Sequence, residues 1–254
     1  MNICVDVGNS TIGIGVYKDD VLVERMIFST DVHLSEDEFY YLFKKQFSAL
    51  ELDFDDVNNI IFSSVVPQIN LSLINTLKKL FKREPMLITP KTRTDLKVKV
   101  DNPLEIGNDL IADLVGTKEK YGYPCLIADL GTASKILLLD KEGVFVSCLI
   151  MPGLTLSAES LSNKAALLPE VSLIAPDSIL AKNTLGAMNA GIVYGHADMI
   201  MGLIKRYEKE IGYECKHILT GGGAVYVKNI FAEDFIYDQN LNLDGLNIII
   251  NKNQ

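Results

Sequence analysis

The sequence contains no tryptophan, and only three histidines and four cysteines among its 254 residues. Cys4, Cys125, Cys148 and Cys215 show no C-x-x-C spacing, which excludes the usual zinc and dithiol redox motifs. Three of them sit inside apolar runs, where cysteine packs as a small hydrophobe. His33, His196 and His217 form no H-E-x-x-H or related ligand pattern, so no chemistry is assigned to them. Basic residues are also scarce: 24 Lys and Arg against 33 Asp and Glu give a formal net charge of -9, which opposes association with nucleic acid. No stretch approaches the roughly 20 apolar residues that span a bilayer. The N-terminus lacks a basic segment followed by an apolar signal core, so no membrane association and a cytoplasmic location are expected. No G-x-x-x-x-G-K-[ST] occurs, so any grip on phosphate is not a P-loop.

What is present is enough for a substantial core: 48% of residues are hydrophobic and 22% charged. The length suits one unit of two similar lobes. Residues 2–17 read as an apolar strand, a tight turn at Gly8 and an alternating second strand, followed by the turn Lys18-Asp19-Asp20 and the strand Val21-Leu22-Val23. The same plan returns at residues 124–139, with Asp140-Lys141-Glu142-Gly143 as its turn and Val144-Phe145-Val146 as its third strand. A repeat of half the chain length implies two lobes of related fold, divided here as residues 1–115 and 116–254. Between the meanders the pattern predicts a helix over residues 35–49, a buried strand over 59–66, a helix over 70–81 and a strand over 85–89. After the second meander, residues 183–211 read as one or two helices that turn Leu185, Met188, Ile192, Ile200, Ile204 and Tyr207 toward a core. The strand Lys216 to Thr220 ends abruptly in Gly221-Gly222-Gly223.

Two segments carry phosphate chemistry. In Asp6-Val7-Gly8-Asn9-Ser10-Thr11 and Asp129-Leu130-Gly131-Thr132-Ala133-Ser134 an Asp ends a buried strand, and a Gly lets backbone N–H groups approach a phosphate closely. One D-x-G-[N/T] is a common turn; two in matching strand contexts are not. Phosphoryl transfer needs positioned phosphates, a divalent metal and an oriented attacking oxygen, and two such turns can supply that cradle. Magnesium, which binds through one or two carboxylates plus phosphate oxygens and water, suits Asp6. Thr220-Gly221-Gly222-Gly223 follows a strand in the manner of a turn that admits a flat ligand such as adenosine. Asp109 opens a helix in Gly107-Asn108-Asp109, where an Asp is ordinarily a cap or a dipole partner.

Taken together, these segments resemble the type III pantothenate kinases. The resemblance is carried by Asp6 to Ser10, Gly107 to Asp109, Asp129 to Ala133, Met151-Pro152-Gly153-Leu154, Ala166-Leu167-Leu168-Pro169, Asn183 to Met188 and Thr220-Gly221-Gly222, in order along almost the whole chain. It implies a duplicated ribonuclease H-like α/β fold with mixed sheets, of the acetate kinase/Hsp70/actin-like class. It further implies transfer of the ATP γ-phosphate to pantothenate, the first step of coenzyme A synthesis, with Mg2+, a monovalent cation (K+ or NH4+) and a homodimer. By position, Asp109 resembles the general base. Asp6, Val7, Gly8, Asn9, Ser10, Thr11, Ile12 and Gly13 would line the phosphates with Asp6 toward Mg2+; Asp129 would hold the monovalent cation and Thr132 would touch ATP. Val100, Gly107, Asn108, Asp109, Leu110 and Thr184 would face pantothenate.

The chain departs from the family pattern at three places. Leu110 stands where the pattern has Arg, Val100 where it has a substrate-facing Tyr, and Lys135 where a small residue usually follows the second phosphate turn. Two other readings are therefore weighed: a kinase of an acceptor without a carboxylate, and a nucleotide-binding regulator that has lost turnover. Retention of Asp6, Asp109 and Asp129 argues against the regulator, since clustered carboxylates are costly without a function.

Overall fold

The computed structural model describes residues 1–50, 53–231 and 235–254. In chain order the elements are β1 (Asn2–Val7), β2 (Thr11–Lys18), β3 (Val21–Ser29), α1 (Glu36–Ala49), β4 (Asn59–Ser64), α2 (Pro67–Phe81) and β5 (Met86–Leu87). There follow β6 (Lys97–Val98), α3 (Asn108–Tyr121), β7 (Cys125–Leu130), β8 (Ala133–Leu139), β9 (Val144–Pro152) and α4 (Leu154–Lys164). The chain closes with α5 (Thr184–Ile211), β10 (Lys216–Thr220), α6 (Ala224–Val227), β11 (Phe235–Tyr237) and α7 (Leu241–Lys252). Two compact units result: Met1–Leu96 with Asn102–Gly116 and Leu241–Gln254, and Lys97–Asp101 with Thr117–Asn240.

The first unit holds a five-stranded sheet in the order β3-β2-β1-β4-β5. β1 pairs antiparallel with β2 and parallel with β4, so it lies at the sheet centre. Both of its faces are covered, which is why it reads as a continuous apolar run interrupted only by Asp6. Ile3, Val5 and Val7 pack with Phe39, Phe43 and Phe47 of α1, and Cys4 packs with Leu246, Ile249 and Ile250 of α7. The three phenylalanines recur every fourth residue on one helical face, and each is fully buried. Burial of each contributes about 1.5–3 kcal/mol. The helix starts where its signal lies, at a capping box in which the Glu38 amide donates to the Ser35 hydroxyl while Glu38 accepts from the Ser35 amide. α2 begins at Pro67, three residues before the expected start, because proline at the first helical position gives up an N–H that the helix does not use.

The second unit holds a six-stranded sheet in the order β11-β10-β7-β8-β9-β6. β7 is central, antiparallel to β8 and parallel to β10. Leu126, Ala128 and Leu130 pack with Val193, Ala197, Ile200 and Ile204 of α5. α5 is a single 28-residue helix capped by Asn183, whose side chain accepts from the Gly186 amide, and closed by Gly212 at φ +79°. Leu185 does not join its core: it is exposed in the first turn, before the helix reaches the sheet. The expected strand over 85–89 is reduced to the two residues of β5 at the sheet edge. All four cysteines are free thiols, Cys4 and Cys125 buried, as apolar packing predicts.

Candidate active site

In the first unit the strand ladder sets the neighbours of Asp6. Gly13 of β2 lies opposite it on one side and Ser63 of β4 on the other. The Ser63 hydroxyl donates to the Asp6 carboxylate at 2.9 Å. Past Asp6 the chain turns tightly, the Gly8 amide donating to the Thr11 carbonyl at 2.9 Å, and the Thr30 hydroxyl anchors the turn through the Gly8 carbonyl. Asn9, Ser10 and Thr11 are exposed at the tip, whereas Val7 and Ile12 are fully buried and offer only backbone groups to a ligand.

Asp109 lies in the first turn of α3 in the same unit. Its carboxylate folds back over Gly107, where a Cβ would collide with Oδ1 unless the side chain shifted. The Asn242 amide of α7 donates to the Asp109 carbonyl at 3.1 Å and to the Asp113 carboxylate at 3.2 Å, fixing the start of the helix. Leu110 is buried, with 8% of its surface exposed. No sequence signal singled out Ser63 or Asn242; in hindsight Ser63-Ser64 is a polar pair ending an otherwise apolar strand.

The second unit repeats the arrangement with different side chains. Asp129 of β7 lies opposite Lys135 of β8 and opposite Thr220 of β10. The Lys135 ammonium donates to the Asp129 carboxylate at 3.1 Å, with 16% and 13% of the two side chains exposed. Gly221, at φ +88°, lies against the same carboxylate: a Cβ there would stand 2.5 Å from Oδ1. The Gly223 amide donates to the Leu130 carbonyl at 2.7 Å, and the Gly153 amide to the Thr132 carbonyl at 3.0 Å. The structure thus brings Asp129, Gly131, Thr132, Gly153 and the Gly221-Gly222-Gly223 turn together, segments separated widely in sequence. Thr132 is exposed. Ser134, at the end of the turn, is buried and shares a 2.8 Å hydrogen bond with His196 of α5. Val100 follows β6 and is half-buried, and Thr184 is exposed at the start of α5. Among the described residues no three His, Cys, Asp or Glu side chains are grouped to hold a metal by themselves. A divalent ion here would need phosphate oxygens and water as further ligands.

Solved structures of similar fold include a conserved putative Baf family transcriptional activator from Campylobacter jejuni, at TM-score 0.59 and 22% identity, covering 99% of this chain and 98% of that one. MreB 5 of Spiroplasma citri bound to AMPPNP superposes at TM-score 0.52 and 12% identity, covering 99% and 97%. Two mixed sheets, each ending its central strand in D-x-G, thus define a protein of the actin-like ATPase fold. A family model for type III pantothenate kinase matches residues 2–206. Curated type III pantothenate kinases from Brevibacillus brevis and Exiguobacterium sibiricum are 35% and 38% identical over 254 residues, covering all of this chain and all of each relative. The chain belongs to the type III pantothenate kinase family.

Proposed function

We infer that this protein phosphorylates pantothenate at the expense of ATP, giving 4'-phosphopantothenate for coenzyme A synthesis. The observation that carries this reading is the full-length match to curated type III pantothenate kinases. As the primary hydroxyl oxygen of pantothenate attacks the γ-phosphorus, Asp109 accepts the hydroxyl proton, the bond from the γ-phosphorus to the bridging oxygen breaks, and ADP leaves. The placement of Asp109 in the first turn of α3, with its carboxylate over Gly107, supports this role. The amides of the Gly8 turn, with Asn9, Ser10, Thr11 and Gly13, would line the phosphates, and Asp6 would take Mg2+, which neutralises charge on the transferring group. Thr132 would touch the nucleotide. A single positive charge at Asp129 completes the reading, which the family resemblance assigns to K+ or NH4+.

Gly107, Asn108, Leu110, Val100 and Thr184 would face the acceptor. With Leu110 in place of Arg, an anionic acceptor loses a charge-assisted contact worth about 1.5–3 kcal/mol, or roughly 10- to 150-fold in affinity. Arg93 is paired with Asp95 at 3.1 Å and Lys135 with Asp129 at 3.1 Å, so each already serves a carboxylate of its own unit. Leu110→Arg, alone and with Val100→Tyr, is expected to tighten pantothenate binding by up to that factor, measured by calorimetric titration. Unchanged affinity in both variants would separate Leu110 from the acceptor site.

A homodimer belongs to the same proposal. Gly191, Gly195 and Gly202 of α5 are exposed, and a Cβ at any of them would meet nothing within 4 Å, so packing within the chain does not account for these glycines. A second subunit would. Light scattering at micromolar concentration is expected to return twice the 28.1 kDa chain mass. No helix among the described residues is long and apolar enough to cross a membrane, and dependence on ATP supports assignment to the cytoplasm. The decisive assay incubates the protein with ATP and Mg2+, with and without pantothenate, and measures ADP and phosphopantothenate. ADP release without dependence on pantothenate would overturn the reading.

A further inference from the structure

The carboxylate of Asp129 is surrounded on three sides. The antiparallel register of β7 and β8 sets Lys135 directly across from it, and cross-strand partners project from the same face of the sheet. The Lys135 ammonium reaches one carboxylate oxygen, Oδ2, at 3.1 Å, and little of either side chain is exposed. The other oxygen, Oδ1, faces Gly221, whose left-handed backbone leaves no space for even a methyl group. On the third side, a Cβ at Gly131 would lie 3.8 and 3.9 Å from the two oxygens. Each wall is tied down, since the Gly223 amide binds the Leu130 carbonyl and β10 pairs with β7 through Thr220.

These surroundings do not suit a free monovalent cation. Potassium prefers several oxygen ligands around it, and here an ammonium with three N–H donors already lies against the carboxylate. Two like charges a few ångströms apart in a poorly solvated site repel strongly, so a bound K+ or NH4+ would have to displace the lysine. Lys135 carries the same single charge as the ion, in the same chemical form as NH4+, and is delivered by the strand that follows the phosphate turn. The first unit offers a control: the residue opposite Asp6 is Gly13, which brings no charge.

We propose that the Lys135 ammonium is a tethered replacement for the monovalent cation at Asp129, so that this enzyme needs neither K+ nor NH4+. The proposal rests on the phosphotransferase reading above, and it concerns a positioning residue, because Lys135 acts through Asp129 on the nucleotide turn.

The test compares wild type, Lys135→Ala, Lys135→Met and Lys135→Arg in choline chloride and in KCl or NH4Cl at equal ionic strength. Met keeps most of the aliphatic stem should the Ala variant fail to fold. Three readouts are taken: phosphopantothenate formation, ATP-Mg2+ affinity by calorimetry, and 205Tl+ NMR, with thallous ion as the probe for a K+ site. Wild type is expected to show the same rate and ATP affinity in every salt and no saturable Tl+ site. Lys135→Ala or Lys135→Met should lose about 10-fold or more in choline, recover with K+ or NH4+, and gain a saturable Tl+ site. Lys135→Arg should remain independent of added cation. Saturable activation of wild type by K+, or saturable Tl+ binding to it, would overturn the proposal. So would a Lys135→Met variant that is equally active in choline, or one that no cation restores. If no salt yields phosphopantothenate, the functional reading fails by itself, while ATP affinity and the Tl+ signal still decide the role of Lys135.

Discussion

The two units place an aspartate at the same point of the same ladder and surround it differently. Asp6 lies between Gly13 and Ser63, and Asp129 between Lys135 and Thr220. The flanking hydroxyl residue is common to both, Ser63 in one and Thr220 in the other. The difference lies on the antiparallel side, where one aspartate faces a glycine and the other an ammonium. A duplicated fold therefore repeats the backbone frame and the position of the acid, while one cross-strand residue sets the electrostatic role of each copy. The proposed division of labour, a divalent ion at Asp6 and a fixed charge at Asp129, rests on that difference.

The comparison is broken most severely by removing an acid that has no counterpart in the second unit. Asp109→Asn is expected to lower turnover by about 100-fold or more while ATP binding persists, since the amide keeps the shape and loses the proton acceptor. Steady-state kinetics beside nucleotide calorimetry measures this, and near-normal turnover would reduce Asp109 to a helix cap.

Next in size are the glycines of the two turns. Gly221→Ala forces a side chain into a left-handed backbone and against the Asp129 carboxylate, and should cost about 1–3 kcal/mol or more in stability together with nucleotide affinity. Gly8→Ala should be milder, because its Cβ would approach only the Thr11 carbonyl, at 3.3 Å. Equal losses in melting temperature for the two variants would contradict this asymmetry.

A third test moves the charge of one unit into the other. At Gly13 a Cβ would meet only the Asp6 carbonyl, at 4.0 Å, so the first atom of a side chain fits without a clash. Gly13→Lys should set an ammonium across from Asp6 and weaken Mg2+-dependent ATP binding by about 10-fold, with Gly13→Ala as the neutral control. If both variants bind alike, Asp6 is not the metal-facing acid.

The smallest expected effect is a pH dependence confined to the second unit. Burial holds the His196 imidazole below its ordinary value of 6.5, beside Ser134 at the end of the turn that follows Asp129. The unfolded chain then binds the proton more readily than the folded one. Stability from this group is therefore intact above the ordinary value and declines as pH falls below it toward the depressed folded value, by at most about 1.4 kcal/mol per pH unit for one proton. Melting curves of wild type and His196→Gln between pH 7.5 and 5.5 should converge on acidification. Parallel curves would remove His196 from the linkage.

Much of this molecule was legible from residue order because the signals are local. The Ser35-x-x-Glu38 capping box, the Pro67 start, the apolar runs of β1 and β7 and the Asn183 cap each act within a few residues of themselves. The D-x-G turns were legible for the same reason, and their recurrence announced the duplication. Leu185 was misplaced because helical periodicity assigns a face without stating where the core ends. Ser63 and Asn242 carried little signal, because their roles depend on partners 57 and 133 residues away: the Asp6 carboxylate and the Asp109 carbonyl.

By itself the sequence determined that the chain forms two related α/β halves, that each ends a buried strand in an Asp-x-Gly turn, and that Asp109 opens a helix behind Gly107. These follow from dihedral preference, periodicity and capping, which need no distant partner. Only the tertiary structure decided what each acid meets. Strand register set Ser63 beside Asp6 and Lys135 beside Asp129, and the packing of α7 within the first unit put Asn242 at the start of α3. The chemistry of a carboxylate depends on the groups within a few ångströms of it, and those groups are gathered by pairing and packing across long stretches of chain.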